Sequence, residues 1–221
     1  QKLVEILKSH QLGDVRHVSA NYYQSWLTSN IWGKWREEDR WLWRLSKKHG
    51  SNGALGDTGV HIFDFTVNAV GDIKELCADL KTFKEKGTKI GKYTLDANDG
   101  LTSMIRFENG AIGTVTNTRY ATGYANTLIL EVFCEKGAVK VELDEQRNKW
   151  STLNICEGDN IHSIKWEKIE CDQTPSNFER FISSIRKNSN DQPNFTQGAK
   201  IQKILDMCIK SNDINQWVDI K

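Results

Sequence analysis

The sequence predicts an α+β fold, a mostly antiparallel open sheet with helices packed on one face. Short segments in the middle of the chain alternate apolar and polar residues or carry β-branched runs. Turn signals such as Asn109-Gly110 separate most of these segments, and helical patterns lie towards both ends of the chain. The predicted strands of this block span residues 72–83, 101–108, 111–120, 126–135, 138–143, 151–158 and 162–170.

The remaining elements follow from periodicity and capping signals. Leu3, Ile6 and Leu7 share one face of an opening helix that ends at Gly13, and residues 14–26 predict a strand. An apolar helix is predicted over residues 52–70, where Gly71 ends it. Two helices close the chain, over residues 176–188 with Ser176 as N-cap and over residues 196–211 with Thr196 as N-cap.

Composition excludes several classes of function. The 221 residues suffice for one domain with a substantial core, and we expect a single domain over residues 1–221. With 30 basic and 29 acidic residues, nothing points to a nucleic acid or an anionic membrane as partner. No apolar run reaches the roughly 20 residues of a membrane span. Five widely spaced cysteines without a CxxC pair predict free thiols in the cytoplasm and no metal site.

The apolar helix carries a polar stripe. At 100° per residue, Asp57, His61, Asp64 and Asn68 lie within about 60° of one another. A stripe of this kind is usually a solvated face. However, residues 50–71 contain no Lys, Arg or Glu, although these residues are frequent elsewhere in the chain. This composition favours the wall of a cleft over a solvated face.

The spacing of Asp57 and His61 predicts an acid/base pair. Side chains four residues apart meet on one helix face, and a carboxylate can orient an imidazole and raise its basicity. Such a pair can take a proton from a hydroxyl while the carbon that bears it loses hydride. Gly59 faces away from the stripe, and we expect it to allow close packing on the sheet.

Three stretches resemble one known family. "GALGDTGVHIFD" is similar to the "GGALxDxGxHxxD" helix of the glucose–fructose oxidoreductase, inositol dehydrogenase and rhizopine catabolism (Gfo/Idh/MocA) family. "LVEILKSHQLGDVRHV" and "NTRYATGYANTLILEVFCEKGAVKVEL" resemble further family segments in the same order. The usual Gly-Gly-Gly before the helix is Ser51-Asn52-Gly53 here, which puts the substrate in doubt more than the family.

The resemblance implies the C-terminal domain of a two-domain dehydrogenase. Its substrate would be a sugar, polyol or related hydroxyl compound, and its cofactor NAD or NADP would be bound mainly by an N-terminal Rossmann domain. This chain has neither a GxGxxG nor a GxxxxGK[ST] motif, so we expect no dehydrogenase activity from it alone. In the family the helix histidine, His61 here, is the acid/base, and Asp57 matches the motif aspartate. The resemblance also implies a homodimer or homotetramer through the open sheet face.

Five further residues are substrate-binding candidates. Tyr124 matches a substrate-contacting tyrosine of inositol dehydrogenase-like members, or is a surface turn aromatic. Asn21 and Tyr23 lie near the end of the first strand, where the family has polyol contacts or where a structural role suffices. Arg44 could meet a substrate hydroxyl or a cofactor phosphate, with a surface salt bridge as the default. Asp64 belongs to the polar stripe.

The tryptophans and the function class leave alternatives open. Clustered tryptophans could stack on sugar faces, but core or interface packing is the more usual role. They are Trp26, Trp32, Trp35, Trp41 and Trp43. Besides an oxidoreductase, the same fold could serve a non-catalytic sugar- or nucleotide-binding regulator, or an NAD-using glycosidase.

Overall fold

A nine-stranded sheet forms the body of the protein in the computed structural model, which describes residues 1–83, 86–144 and 151–220. Its strand order is β10-β9-β8-β7-β1-β6-β5-β2-β11, and β3 and β4 form a separate hairpin. The strands are β1 Val15–Gln24, β2 Ile73–Lys81, β3 Lys89–Ile90, β4 Tyr93–Thr94, β5 Gly100–Phe107, β6 Ile112–Thr118, β7 Asn126–Cys134, β8 Gly137–Asp144, β9 Ser151–Glu157, β10 Glu167–Ile169 and β11 Val218–Asp219. The predicted α+β class is confirmed.

All neighbouring strands are antiparallel except β1 and β6, which run parallel. The first strand of the chain therefore lies in the middle of the sheet, between β6 and β7. The predicted meander is thus interrupted at one place. Tight hairpins join β5 to β6 and β7 to β8, whereas β6 and β7 are joined by a longer loop that leaves room for β1.

The described chain has six α-helices. They are α1 Lys2–Lys8, α2 Asp39–Leu42, α3 Val60–Val70, α4 Asn160–Ser163, α5 Asn177–Lys187 and α6 Phe195–Ile214. A π-helical turn, Leu55–Gly59, leads directly into α3. The main core lies between the sheet and helices α1, α3 and α6, with Ile62 and Phe63 of α3 fully buried against Val18 and Ala20 of β1.

Four of the five clustered tryptophans belong to a second, smaller core. Trp26 and Trp35 are buried together with Leu42 and Leu45, and Tyr93 of β4 packs against them. Trp32 and Trp41 lie at its edge with partly buried rings, whereas Trp43 is 40% exposed. Short 3₁₀ turns at Trp35–Glu37, Trp43–Leu45 and Lys47–His49 carry this segment. The expected packing role is confirmed for these four.

Several element boundaries differ from the prediction, and the first is the end of α1, at Lys8 and not at Gly13. Asn194, not Thr196, caps α6: its side chain accepts from the Gln197 N–H, and the helix begins at Phe195. Asn is at least as good an N-cap as Thr because its oxygen reaches the same orphan N–H groups. The predicted strand over residues 162–170 is shorter, since α4 occupies its start and only Glu167–Ile169 pair with β9. Ser176 does cap α5, in a capping box with Glu179.

Two further observations concern the whole described chain. All five cysteines are free, as predicted. Within residues 1–83, 86–144 and 151–220, no helix combines the length and the apolar character needed to cross a membrane.

Candidate functional site

The polar stripe starts on a π-helical turn that two asparagines hold against the sheet. Asn98 accepts the Leu55 N–H through its side chain at 2.9 Å and the Ala54 N–H through its carbonyl at 2.8 Å. Asn117 of β6 donates to the Ala54 carbonyl at 2.7 Å and accepts from the Thr58 hydroxyl at 2.8 Å. These hydrogen bonds satisfy backbone groups and one hydroxyl at the start of the helix. The π turn is therefore fixed from both sides.

One glycine allows this close approach. Gly53 has φ +67°, and a Cβ there would collide with the backbone of Asn98. Gly59 also lies next to the sheet, but a Cβ there would be 3.4 Å from the Asn117 side chain, at the short end of an ordinary van der Waals contact. The close packing expected at Gly59 therefore stays a prediction.

We expect Gly53→Ala to destabilise the chain more than Gly50→Ala. Gly50 also has a positive φ, of +87°, but no heavy atom lies within 4 Å of a Cβ built there. Gly50→Ala, the control, should therefore lose only the free energy that a left-handed backbone costs an alanine, about 1–2 kcal/mol. Gly53→Ala adds overpacking against Asn98, about 1–3 kcal/mol more. Urea unfolding measures both, and equal losses would mean that the Asn98 contact does not constrain the turn.

Asp57 lies in the π turn and binds two arginines. Arg44 Nη1 donates to Asp57 Oδ1 at 2.6 Å, and Arg119 Nη2 donates to Asp57 Oδ2 at 2.8 Å. Among the described residues, no hydrogen bond joins Asp57 to His61. A π turn has more than 3.6 residues, so the 100° spacing behind the predicted Asp57–His61 pair does not hold across Leu55–Gly59. The geometry makes Asp57 an anchor for the two arginines.

Arg119 is the most deeply buried charged group of this site. Its side chain is fully buried, and its guanidinium carbon lies 4.9 Å from the centre of the Trp26 ring. Burial lowers the pKa of Arg119, while Asp57 acts in the opposite direction and favours the charged form. Arg119 also donates to the Arg44 carbonyl at 3.3 Å. The pair with Asp57 therefore compensates a charge that water does not reach.

His61 is exposed and stands between two cavities. The first, of about 480 Å³, is lined mainly by tryptophans and arginines and is called the aromatic cavity below. The second, of about 820 Å³, lies between α3, α5 and the start of α6 and is called the helix cavity. The aromatic cavity is lined by Tyr22, Gln24, Trp26, Trp32, Arg40, Trp41, Arg44, Asp57, Thr58, His61 and Asn126. Among the residues that the structure describes, His61 is the one that both linings share.

The polar wall of the aromatic cavity is a connected network. Tyr22 and Gln24 both donate to Asn126 Oδ1, at 2.8 and 2.9 Å, and Trp26 Nε1 donates to Gln24 at 3.2 Å. The Tyr22 ring also lies 6.3 Å from the His61 ring, centre to centre. This wall offers amide and hydroxyl groups beside the imidazole, an arrangement suited to a ligand rich in hydroxyls.

Sequence comparison assigns the family. A profile of the GFO/IDH/MocA C-terminal domain matches residues 1–140, more than half of the chain. The chain belongs to the Gfo/Idh/MocA family. Levoglucosan dehydrogenase of Pseudarthrobacter phenanthrenivorans is 26% identical over 211 residues, which cover 80% of this chain and 54% of that protein. The chain thus spans about half the length of this relative.

Solved structures of the family have the same fold. A levoglucosan dehydrogenase in complex with NADH and levoglucosan has a TM-score of 0.81 at 22% identity, over 99% of this chain and 62% of that one. An oxidoreductase domain protein from Kribbella flavida has a TM-score of 0.79 at 25% identity, over 100% of this chain and 62% of that one. The topology described above is therefore that of the Gfo/Idh/MocA C-terminal domain.

The predicted site residues divide into two groups. His61, Asp57 and Arg44 line the aromatic cavity, and His61 and Asp64 line the helix cavity. Asp64 accepts from Gln197 at 2.9 Å and from Asn68 at 2.9 Å. Asp57, His61 and Asp64 of the polar stripe thus line cavities, and Asp64 also links α3 to α6.

Asn21, Tyr23 and Tyr124 lie elsewhere. Buried and less buried residues alternate along β1, and Asn21 and Tyr23 point to the sheet face opposite the helices. The Tyr23 and Tyr124 rings are 5.0 Å apart, and burial raises the pKa of Tyr23. Asn21 and Tyr23 therefore do not line the aromatic cavity. Their neighbours Tyr22 and Gln24 line the aromatic cavity instead.

Sequence reasoning did not identify five residues that line the aromatic cavity, nor Arg119, which binds Asp57. The five are Tyr22, Gln24, Arg40, Thr58 and Asn126. The apolar alternation of Val18 and Ala20 could have identified Tyr22 and Gln24 as members of the inward face. Arg119 gave a weaker signal, a lone charge near the end of the strand predicted over residues 111–120. Within the described residues, no group of His, Cys, Asp or Glu could hold a metal ion.

Proposed function

We propose that this chain is the substrate-binding part of an NAD(P)-dependent oxidoreductase that acts on a hydroxyl of a sugar or polyol, with His61 as acid/base. The observation that carries the proposal is the position of His61, exposed where the aromatic cavity and the helix cavity meet. A substrate in one cavity and a hydride acceptor in the other would both contact this imidazole. The levoglucosan dehydrogenase relative supports a carbohydrate substrate.

His61 would take the hydroxyl proton as the carbon that bears it loses hydride. NAD(P) would supply the hydride acceptor. Tyr22, Gln24 and Asn126 would bind the remaining hydroxyls, and the tryptophan rings would cover the apolar C–H faces of the sugar. Asp57 would act indirectly, because both of its oxygens bind arginines. In the reverse direction the protonated imidazole would return the proton to the carbonyl oxygen.

The residues present do not form a dinucleotide site. The sequence has no glycine-rich phosphate motif, and β1 and β6 are the only parallel neighbours among the described strands. A nucleotide-binding domain outside these residues is therefore part of the proposal. The apolar side of α5 is a surface suited to it, because it borders the helix cavity and exposes Phe178, Phe181 and Ile185 by 84%, 65% and 62%.

The test compares two proteins in one assay. The whole protein, meaning this chain with its nucleotide-binding domain, should reduce NAD or NADP in the presence of a sugar or polyol. The 221-residue chain alone should give no turnover with either cofactor. Turnover by the isolated chain would refute the division of labour. Absence of turnover by the whole protein on any sugar or polyol would refute the proposed activity.

We further propose a homodimer or homotetramer in the cytoplasm. The sheet face opposite the helices exposes Met104, Ile112 and Phe133 by 49%, 52% and 39%, and these side chains share one face by strand register. Five free thiols suit a reducing compartment. Ile112→Glu should shift the protein to monomers in sedimentation velocity, because it places a charge in an apolar interface. A wild-type protein that sediments as a strict monomer would contradict this.

A further inference from the structure

Arg44 has one edge of its guanidinium engaged and the other free. Arg44 Nη1 donates to Asp57. The backbone carbonyl of Arg44 accepts from the Ser51 hydroxyl at 2.5 Å and from Arg119. Its guanidinium carbon lies 5.0 Å from the centre of the Trp43 ring and 5.9 Å from that of Trp41. The arginine is therefore held by its backbone, by one carboxylate and by two aromatic rings.

The free edge consists of Nε and Nη2. Nε is buried and has no acceptor in the part of the chain that the structure describes, and no described residue accepts from Nη2. The Nε–H bond and one Nη2–H bond are parallel, and their spacing matches the two oxygens of a carboxylate. Trp41 Nε1, on the same cavity wall, also lacks an acceptor among the described residues. Buried donors without partners are rare in folded proteins and require an explanation.

Arg44 has no carboxylate of its own at this wall. Asp57 is the only carboxylate among the described residues that line the aromatic cavity, and it is shared by Arg44 and Arg119. Arg119 is also attracted by the charge of Asp99, and Arg40 pairs with Glu38 at 2.6 Å. The Arg44 side chain is 32% exposed and lines the aromatic cavity.

We infer that the substrate carries a carboxylate that binds the Nε–Nη2 edge of Arg44, which makes it an acidic sugar such as an aldonic or uronic acid. The inference rests on the proposed function and names its substrate class. The carboxylate gives Arg44 a negative partner that it does not share with Arg119, and it supplies acceptors to the unpaired donors of the guanidinium. The polyol part of the same molecule then extends past Trp41 and Trp32 towards Tyr22, Asn126 and His61.

The experiment uses matched pairs of compounds with the whole protein. Each pair joins a neutral sugar to the acid of the same configuration, for example D-glucose with D-glucuronate and D-gluconate, and D-galactose with D-galacturonate. The wild type should prefer the acid by about tenfold to a hundredfold in kcat/KM, the range of a charge-assisted hydrogen-bonded contact. Arg44→Gln should remove the preference, and Arg44→Lys should restore only part of it because lysine lacks the fork.

Arg106→Gln is the matched control. Arg106 also pairs with a carboxylate, Glu75 at 2.8 Å, and stacks on a tryptophan, Trp217 at 4.3 Å, but it lies outside the aromatic cavity. This substitution should leave the preference for the acid unchanged. An equal loss in Arg44→Gln and Arg106→Gln would mean that a general loss of arginine contacts explains the effect, and would overturn the inference.

A second readout separates this inference from the proposed activity. Thermal shift with each compound reports binding even without turnover, and acids should raise the melting temperature of the wild type but not of Arg44→Gln. If neutral sugars bind and react as well as their acids, the oxidoreductase stands and the carboxylate contact is wrong. If Arg44→Gln raises KM for NAD(P) and leaves the acid preference intact, the edge binds a cofactor phosphate and the inference fails. No shift with any acid also overturns it.

Discussion

Replacing His61 with Asn in the whole protein should lower kcat by about 10²–10⁴-fold, the usual range for loss of a general acid/base. The change in KM should be much smaller, because the sugar hydroxyls are expected to bind mainly to Tyr22, Gln24 and Asn126. Steady-state kinetics with NAD(P) and the best substrate measures both values. Asn keeps the polar surface of the exposed side chain, so the fold should be unaffected.

His162 provides the control for this substitution. It is exposed on α4, outside both cavity linings. His162→Asn should therefore behave as the wild type. An unchanged kcat in His61→Asn would contradict the acid/base role and favour a non-catalytic, ligand-binding member of the family. Sugar release measured in the same samples tests the glycosidase alternative, since an NAD-using glycosidase would liberate a sugar without net oxidation.

The fold was predictable largely because its signals are local. Strand alternation, the Asn109-Gly110 turn and the Ser176 N-cap each depend on a few neighbouring residues, and all appear in the structure. The place of β1 between β6 and β7 was not predictable in the same way. Strand order depends on contacts between residues about a hundred positions apart, such as Ala20 with Val115 and Leu130.

The candidate site was predictable in its position and less so in its contacts. The composition of residues 50–71 identified the cavity wall, because a solvated helix would carry Lys or Glu. The direct Asp57–His61 contact depended on regular helical spacing, and the π turn changes that spacing. The partner of Asp57 that matters most, Arg119, comes from the end of β6, 62 residues further along the chain. No helical periodicity could have indicated it.

Replacing Asp57 with Asn should reduce the free energy of unfolding by about 3–5 kcal/mol, the range for removal of one partner from a buried pair. The reason is Arg119, whose side chain is fully buried and would lose the carboxylate to which it donates a hydrogen bond, keeping only the electrostatic attraction of Asp99. Arg44 can compensate through water because its side chain is one-third exposed, whereas Arg119 cannot. Urea unfolding of the variant and the wild type measures this loss.

Asp64→Asn is the matched control on the same helix. Asp64 is also partly buried, but its partners Gln197 and Asn68 are neutral amides. An amide in its place keeps an acceptor oxygen for them, so the loss should stay near 1 kcal/mol or below. Equal losses in Asp57→Asn and Asp64→Asn would show that the buried Arg119 charge does not determine the stability of this region.

A double variant separates the buried charge from other effects of Asp57→Asn. Arg119→Met removes the charge and retains an unbranched side chain of similar length beside Trp26. Adding it to Asp57→Asn should recover part of the lost stability, because replacement of a whole buried ion pair by apolar groups is often neutral. If the double variant is as unstable as the sum of the single variants, Asp57 and Arg119 are not coupled. Recovery of stability without recovery of kcat would assign Asp57 a second role, in positioning Arg44 and the cavity wall next to His61.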